Sequence, residues 1–227
     1  MTNIEQALGS VRARIAASES RYGRPPGSVR LLAVSKTKPP SDVAAAYRLG
    51  QRDFGENHLQ DAKAKLDALA DLDITWHFIG PVQSNKTRAI AAGFAWVHSV
   101  DRLKIALRLN DQRPADLPPL EVCIQVNISG EASKSGVDPD HLAGLAQEIR
   151  SLPRVRLRGL MAIPSPSGDF EAQRAPFRRL RTLLDGLNGD GFRLDTLSMG
   201  MTDDLEAAIA EGATMVRVGT AVFGARS

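Results

Sequence analysis

The chain has 227 residues, 43% hydrophobic and 24% charged, enough apolar material for a barrel-sized core and too much for a disordered chain. Its 29 basic and 26 acidic residues are spread along the sequence, and apolar positions interrupt the arginine spots at 154–158 and 174–181, which describes solvated faces and no nucleic-acid groove. No apolar run reaches the ~20 residues of a membrane span and the N-terminus lacks the basic-then-apolar order of a signal peptide, so a cytoplasmic location is expected.

Apolar periodicity alternates along the chain between 3.6 and 2. Ile4, Leu8, Val11 and Ile15 form the stripe of an opening amphipathic helix. Strand 1 is Val29 to Ser35, running into Lys36, and a helix follows from about Ser41 to Gly50. Strand 2 covers Asp53 to Asn57, with a helix from about His58 to Leu69. Strand 3 covers Thr75 to Ile79, with a helix from about Asn85 to Ala92 closed by Gly93. Strand 4 covers Ala95 to Val100, with a helix from about Arg102 to Leu109. Strand 5 spans Leu120 to Ile128, and its helix runs from His141 to Leu152. Strand 6 is Val155 to Ile163, followed by a helix from Pro176 to Leu187. Strand 7 is Thr196 to Met199, its helix Asp203 to Ala210, and strand 8 is Met215 to Val218. Lone Cys123, within Val122-Cys123-Ile124, reads as a small core residue. His58, His77, His98 and His141 lack metal-ligand spacing, so no metal is expected.

Eight βα alternations in a chain of this length predict an α/β fold, a single (β/α)₈ TIM barrel over residues 1–227, with the opening helix supplying the outer helix that strand 8 lacks. A doubly wound sheet would carry a Gly-rich loop after strand 1, where this chain has Ser35-Lys36-Thr37-Lys38-Pro39. In a barrel all strand C-termini surround one mouth, so Lys36 faces polar residues at the other strand ends: Glu56, Asn57, Ser198, Met199, Gly200, Gly219 and Thr220. A lysine in a dry pocket loses its proton more readily and attacks carbonyls. The glycines and hydroxyls after strands 7 and 8 fit a phosphate. Arg217 faces either the same interior or a barrel-lining carboxylate such as Glu56. An aldehyde-seeking amine opposite a phosphate cradle points to pyridoxal 5′-phosphate.

The segments Ala33-Val34-Ser35-Lys36-Thr37-Lys38-Pro39, Phe54-Gly55-Glu56-Asn57, Trp76-His77-Phe78-Ile79-Gly80, Gln83-Ser84-Asn85-Lys86, Lys134-Ser135-Gly136, Gly159-Leu160-Met161, Leu197-Ser198-Met199-Gly200-Met201-Thr202-Asp203-Asp204 and Val216-Arg217-Val218-Gly219-Thr220 together resemble the pyridoxal phosphate homeostasis protein family (YggS/PROSC), whose barrel is that of the alanine racemase N-terminal domain (the type III fold of pyridoxal-phosphate proteins, barrel only). The resemblance implies a cofactor held as an aldimine on Lys36, a phosphate held by Ser198, Gly200, Gly219 and Thr220, and Arg217 at the pyridine nitrogen. It also implies a carrier in vitamin B6 homeostasis without established turnover, with pyridoxal-phosphate-dependent apo-enzymes as candidate recipients, existing as a monomer or weak homodimer. An arginine at the ring nitrogen cannot accept a proton, which weakens the ring as an electron sink.

Two other functions fit the same barrel. An amino-acid racemase would need a β-rich domain supplying a tyrosine, and this chain holds only Tyr22 and Tyr47. A cofactor-free Schiff-base aldolase would be colourless. Lys134, in a polar loop, is either a solvated lysine or an aid to cofactor entry. Asp203 and Asp204 are expected to cap the helix after strand 7, Glu206 completing the box, and to point away from an anion.

Overall fold

The computed structural model describes residues 4–131 and 134–224. Helix α1 (Ile4–Arg21) leads into β1 (Arg30–Val34), α2 (Pro40–Arg48), β2 (Asp53–Glu56), α3 (Leu59–Ala68), β3 (Thr75–Phe78), α4 (Thr87–Gly93), β4 (Trp96–Val100) and α5 (Leu103–Gln112). The second half runs β5 (Leu120–Gln125), a 3₁₀ turn at Pro139–His141, α6 (Leu142–Arg150), β6 (Val155–Met161), α7 (Phe170–Gly189), β7 (Thr196–Ser198), α8 (Leu205–Ala210), β8 (Met215–Val218) and α9 (Thr220–Phe223).

The eight strands pair in parallel and in chain order, β8 returning to β1 through Leu32 opposite Arg217, so the barrel closes as the alternation predicts. The strand centres are buried except in β6, where Arg156 is exposed and Leu157 and Arg158 are half-buried, because the outward face lies under helices and the inward face under side chains from across the barrel. Helix α1 packs against α2, α8 and α9, filling the place of an eighth outer helix with Leu8, Val11 and Ile15. Arg14 on α1 fixes α8 by donating to Glu206 from Nε at 3.0 Å and Nη2 at 2.9 Å.

That ion pair removes the expected capping box. Glu206 faces Arg14, and the N-cap is Asp204, whose carboxylate accepts from the Met201 N–H upstream. Helix α7 begins six residues before Pro176, at an N-cap where Asp169 Oδ1 accepts from Ala172 N at 2.7 Å. A proline in the seventh of twenty helical positions removes one interior N–H from the helix, a cost that packing of Phe177, Leu180 and Leu184 offsets. Strands 5 and 6 stop at Gln125 and Met161, short of the sequence reading, although Val126 N still donates to Met161 O and Ala162 N to Ser198 O just beyond them. Among the described residues no helix is long and apolar enough to cross a membrane.

Candidate functional site

The register sets the mouth. Ala33 lies opposite Val218 on one side and Phe54 on the other, so the chain emerging from β1, β2 and β8 brings Lys36, Asn57, Gly219 and Thr220 to one end. These four, with Arg217, line a cleft of about 490 Å³ whose walls include Ile79, Ile163 and Met201. That volume suits a single small organic ligand.

Lys36 is the second residue of a turn closed by Lys38 N donating to Ser35 O at 3.0 Å. The third, Thr37, has φ 64°, a left-handed conformation that a β-branched residue adopts only under constraint. The constraint lies beneath it. Ser35 is fully buried, its hydroxyl donating to Glu56 Oε1 at 2.6 Å, while Lys65 Nζ donates to both Ser35 O and Glu56 Oε1 at 2.6 Å. Burial pushes the Glu56 carboxyl up, against the pull of Lys65 and Ser35, and its Oε2 has no partner among the described residues. Lys36 itself, half-buried, makes no hydrogen bond or ion pair with any described residue.

Asn57 is held from below by close backbone packing: a Cβ at Gly80 would stand 2.0 Å from Asn57 O, so only glycine fits there. Its side-chain Oδ1 is buried and unpartnered among the described residues. Such an acceptor at a cleft wall calls for a ligand donor or water.

Ser198, Met199 and Gly200 are buried and are not among the residues that line the cleft. Met199 is core, with its N–H on Met215 O at 3.1 Å. Gly200 has φ 92°, and a Cβ there would meet Ala208 Cβ at 2.5 Å. The Ser198 hydroxyl is 2.8 Å from His98 Nδ1 and accepts from Arg217 Nη1 at 2.9 Å. Arg217 also donates to Ser198 O at 2.5 Å and to Ala162 O at 2.9 Å. It therefore bonds neutral acceptors, and the interior pair with Glu56 does not form, since Lys65 takes that carboxylate. Burial pulls the guanidinium down to about 10, which leaves it a cation at neutral pH. Asp203, expected to point away, lines the cleft, whereas Lys134 does not and donates to Ser165 Oγ at 2.6 Å.

Three features escaped the sequence reading: Lys65 and the histidines His77 and His98. Lys65 looks like one of several helix-surface lysines, although its spacing from Ala62 and Leu69 marks the buried face of α3. Each histidine stands mid-strand among apolar neighbours, which is the signal of a barrel-interior residue.

With this geometry in view, the comparisons with known proteins converge. The family model "Alanine racemase, N-terminal domain" matches residues 7–227. A curated protein of Pseudomonas aeruginosa named pyridoxal phosphate homeostasis protein is 62% identical over 100% of this chain and 97% of its own length. Its namesake in Escherichia coli K12 is 53% identical over 100% of this chain and 98% of its own. The solved structure of PipY from Synechococcus elongatus with PLP bound superposes with a TM-score of 0.86 at 39% identity, covering 98% of this chain and 100% of that one. The chain belongs to the alanine racemase N-terminal domain family and, within it, to the pyridoxal phosphate homeostasis proteins.

Proposed function

We propose that this protein binds pyridoxal 5′-phosphate covalently on Lys36 and holds it as a reservoir in vitamin B6 homeostasis, without turning over a substrate. The observation that carries the reading is Lys36: a lysine on a constrained turn, unpaired among the described residues, in a cleft it shares with a buried cation, Arg217, and an unpartnered acceptor, Asn57. The names of the relatives and the ligand bound to PipY support it.

The residues fit the group. When bound, pyridoxal phosphate supplies an aldehyde that condenses with an amine to a Schiff base, releasing one water. Lys36 Nζ would be the amine that takes part in that condensation. Gly219 and Thr220 would bring main-chain N–H groups and a hydroxyl to the phosphate side of the cleft. Ser198 contributes through Arg217, because its hydroxyl is already engaged. Arg217 holds N–H donors toward a ring nitrogen and returns no proton to it, which disfavours carbanion chemistry and favours holding over turnover. Ile79, Ile163 and Met201 give a flat ring apolar walls.

Adding pyridoxal phosphate to the protein should produce the yellow band of a Schiff base, and borohydride should fix the group on the peptide containing Lys36. Lys36→Ala should lose both. A protein that gains no band, or is labelled elsewhere only, would overturn the proposal. Transfer of the bound group to an added apo-enzyme, read as recovered activity of that enzyme, tests the reservoir role.

A further inference from the structure

Five side chains run through the inside of the barrel as one hydrogen-bonded chain. Asp53 Oδ1, at the N-terminal end of β2, is 3.0 Å from His77 Nε2 on β3. His77 Nδ1 is 2.9 Å from His98 Nε2 on β4, and His98 Nδ1 is 2.8 Å from Ser198 Oγ on β7. Ser198 Oγ accepts from Arg217 Nη1 at 2.9 Å. β4 and β7 are not neighbours in the barrel, so His98 and Ser198 meet only because both point at its axis. The chain begins at the face of the barrel opposite Lys36 and ends at the cleft.

The Asp53 end sets the direction of the links when both imidazoles are neutral. A carboxylate only accepts, so His77 presents Nε2–H to Asp53 and Nδ1 as an acceptor, and the same order repeats at His98. Ser198 Oγ accepts a hydrogen bond from Arg217 Nη1 and donates its own hydrogen to His98 Nδ1. His98 is then the Nε2–H tautomer and donates to His77 Nδ1, and His77 donates from Nε2 to Asp53. Both imidazoles are neutral. The charged and titratable groups around them agree: burial, with the charges of Arg217 and Arg30, holds His98 well below its ordinary value, and burial outweighs Asp53 in holding His77 down. Burial opposes ionisation of Asp53, but the His77 hydrogen bond and the charge of Arg30 keep its carboxyl below the usual range. Arg217 donates three N–H bonds to Ser198 O, Ser198 Oγ and Ala162 O, which leaves two of its five, Nε–H and one on Nη2, for the cleft it lines.

We propose that Asp53, His77 and His98 are positioning residues that act through Ser198 to lock the Arg217 guanidinium in one orientation, so that a ring nitrogen entering the cleft always meets an N–H donor. The ligand half of this rests on the pyridoxal phosphate reading above; the lock itself does not. A neutral His98 also keeps a second positive charge away from Arg217, so the cation below the ring stays single.

Long-range ¹H–¹⁵N NMR of the full chain without added ligand should show His77 and His98 neutral and protonated at Nε2 alone at pH 7, with Arg217 side-chain resonances resolved as a rigid guanidinium. An amide at position 53 can donate or accept, so Asp53→Asn frees the direction of the chain. His98 should then populate the Nδ1–H tautomer, the Arg217 resonances should broaden, and the ¹⁵N resonance of ring-labelled pyridoxal phosphate should move, with binding weaker on the order of tenfold. Asp53→Glu, which keeps the acceptor, should restore the wild-type pattern. An imidazole in the wild type carrying two protons, or one at Nδ1, overturns the proposal whether or not the variants fold. So does an Asp53→Asn protein with unchanged Arg217 and ring-nitrogen resonances. Wild type that fails to take up pyridoxal phosphate while showing the expected tautomers defeats the proposed function and leaves the lock standing.

Discussion

Lys65 and Glu56 do more for the geometry of Lys36 than anything Lys36 touches. Lys65 is 3% exposed and its ammonium is shared between a carboxylate and the carbonyl of Ser35, the residue before Lys36. Removing one member of a buried pair leaves the other uncompensated, at about 3–5 kcal/mol. Lys65→Met should therefore lower stability by that order, read from the urea midpoint, and the double variant Lys65→Met/Glu56→Leu should recover most of it. A single variant within about 0.5 kcal/mol of wild type would show that the pair carries little. Lys36 was legible in the sequence because an apolar strand ends on it. Its support was not, because a buried lysine and a solvated one share the same letter and differ only in which helix face they occupy. The histidine chain was hidden for a related reason: its members are 21 and 100 residues apart and meet only after closure.

The elements carry constraints that local pattern conveys unevenly. Strand and helix order followed directly from periodicity, since a barrel strand buried on both faces is a short apolar run and its neighbour a 3.6-period stripe. Helix starts were less legible. Proline suits a first turn, so Pro176 suggested the start of α7, yet the Asp169 cap upstream supplies a real hydrogen bond to Ala172 N. Asp169→Ala should cost about 1 kcal/mol, measured by denaturant unfolding, whereas a helix that truly began at Pro176 would lose nothing. After β7, the loop to α8 depends on one backbone position. Gly200 combines φ 92° with an approach that puts a Cβ 2.5 Å from Ala208. Gly200→Ala must strain the turn and push α8 outward, costing about 1–3 kcal/mol in unfolding free energy. If the loop after β7 also serves the phosphate, the same variant should weaken pyridoxal phosphate uptake in an absorbance titration, whereas the remote Asp169→Ala should leave uptake unchanged.

At the scale of the whole molecule, the barrel encloses ionisable groups that link its stability to pH. His77 and His98 are held neutral by burial in the fold, but both take a proton near ~6.5 once unfolded. Below that value the unfolded chain binds more protons than the native one, so stability falls as pH falls, approaching about 1.4 kcal/mol per pH unit for each imidazole. Asp53 acts in the same direction at lower pH. Its native carboxyl lies below the usual range, so its contribution is present above the unfolded value and lost as pH drops through the native one. Glu56 acts in the opposite direction, because burial raises its native value and its ionisation on rising pH costs stability. Two imidazoles against one carboxyl leave a net loss that approaches about 1.4 kcal/mol per pH unit once both imidazoles are fully protonated in the unfolded chain. Urea unfolding of the ligand-free protein should therefore show a midpoint that falls steadily from about pH 7 to about pH 5. A flat midpoint across that range would mean that the interior histidines are already protonated in the fold, and the one-directional chain from Arg217 to Asp53 would have to be abandoned with it.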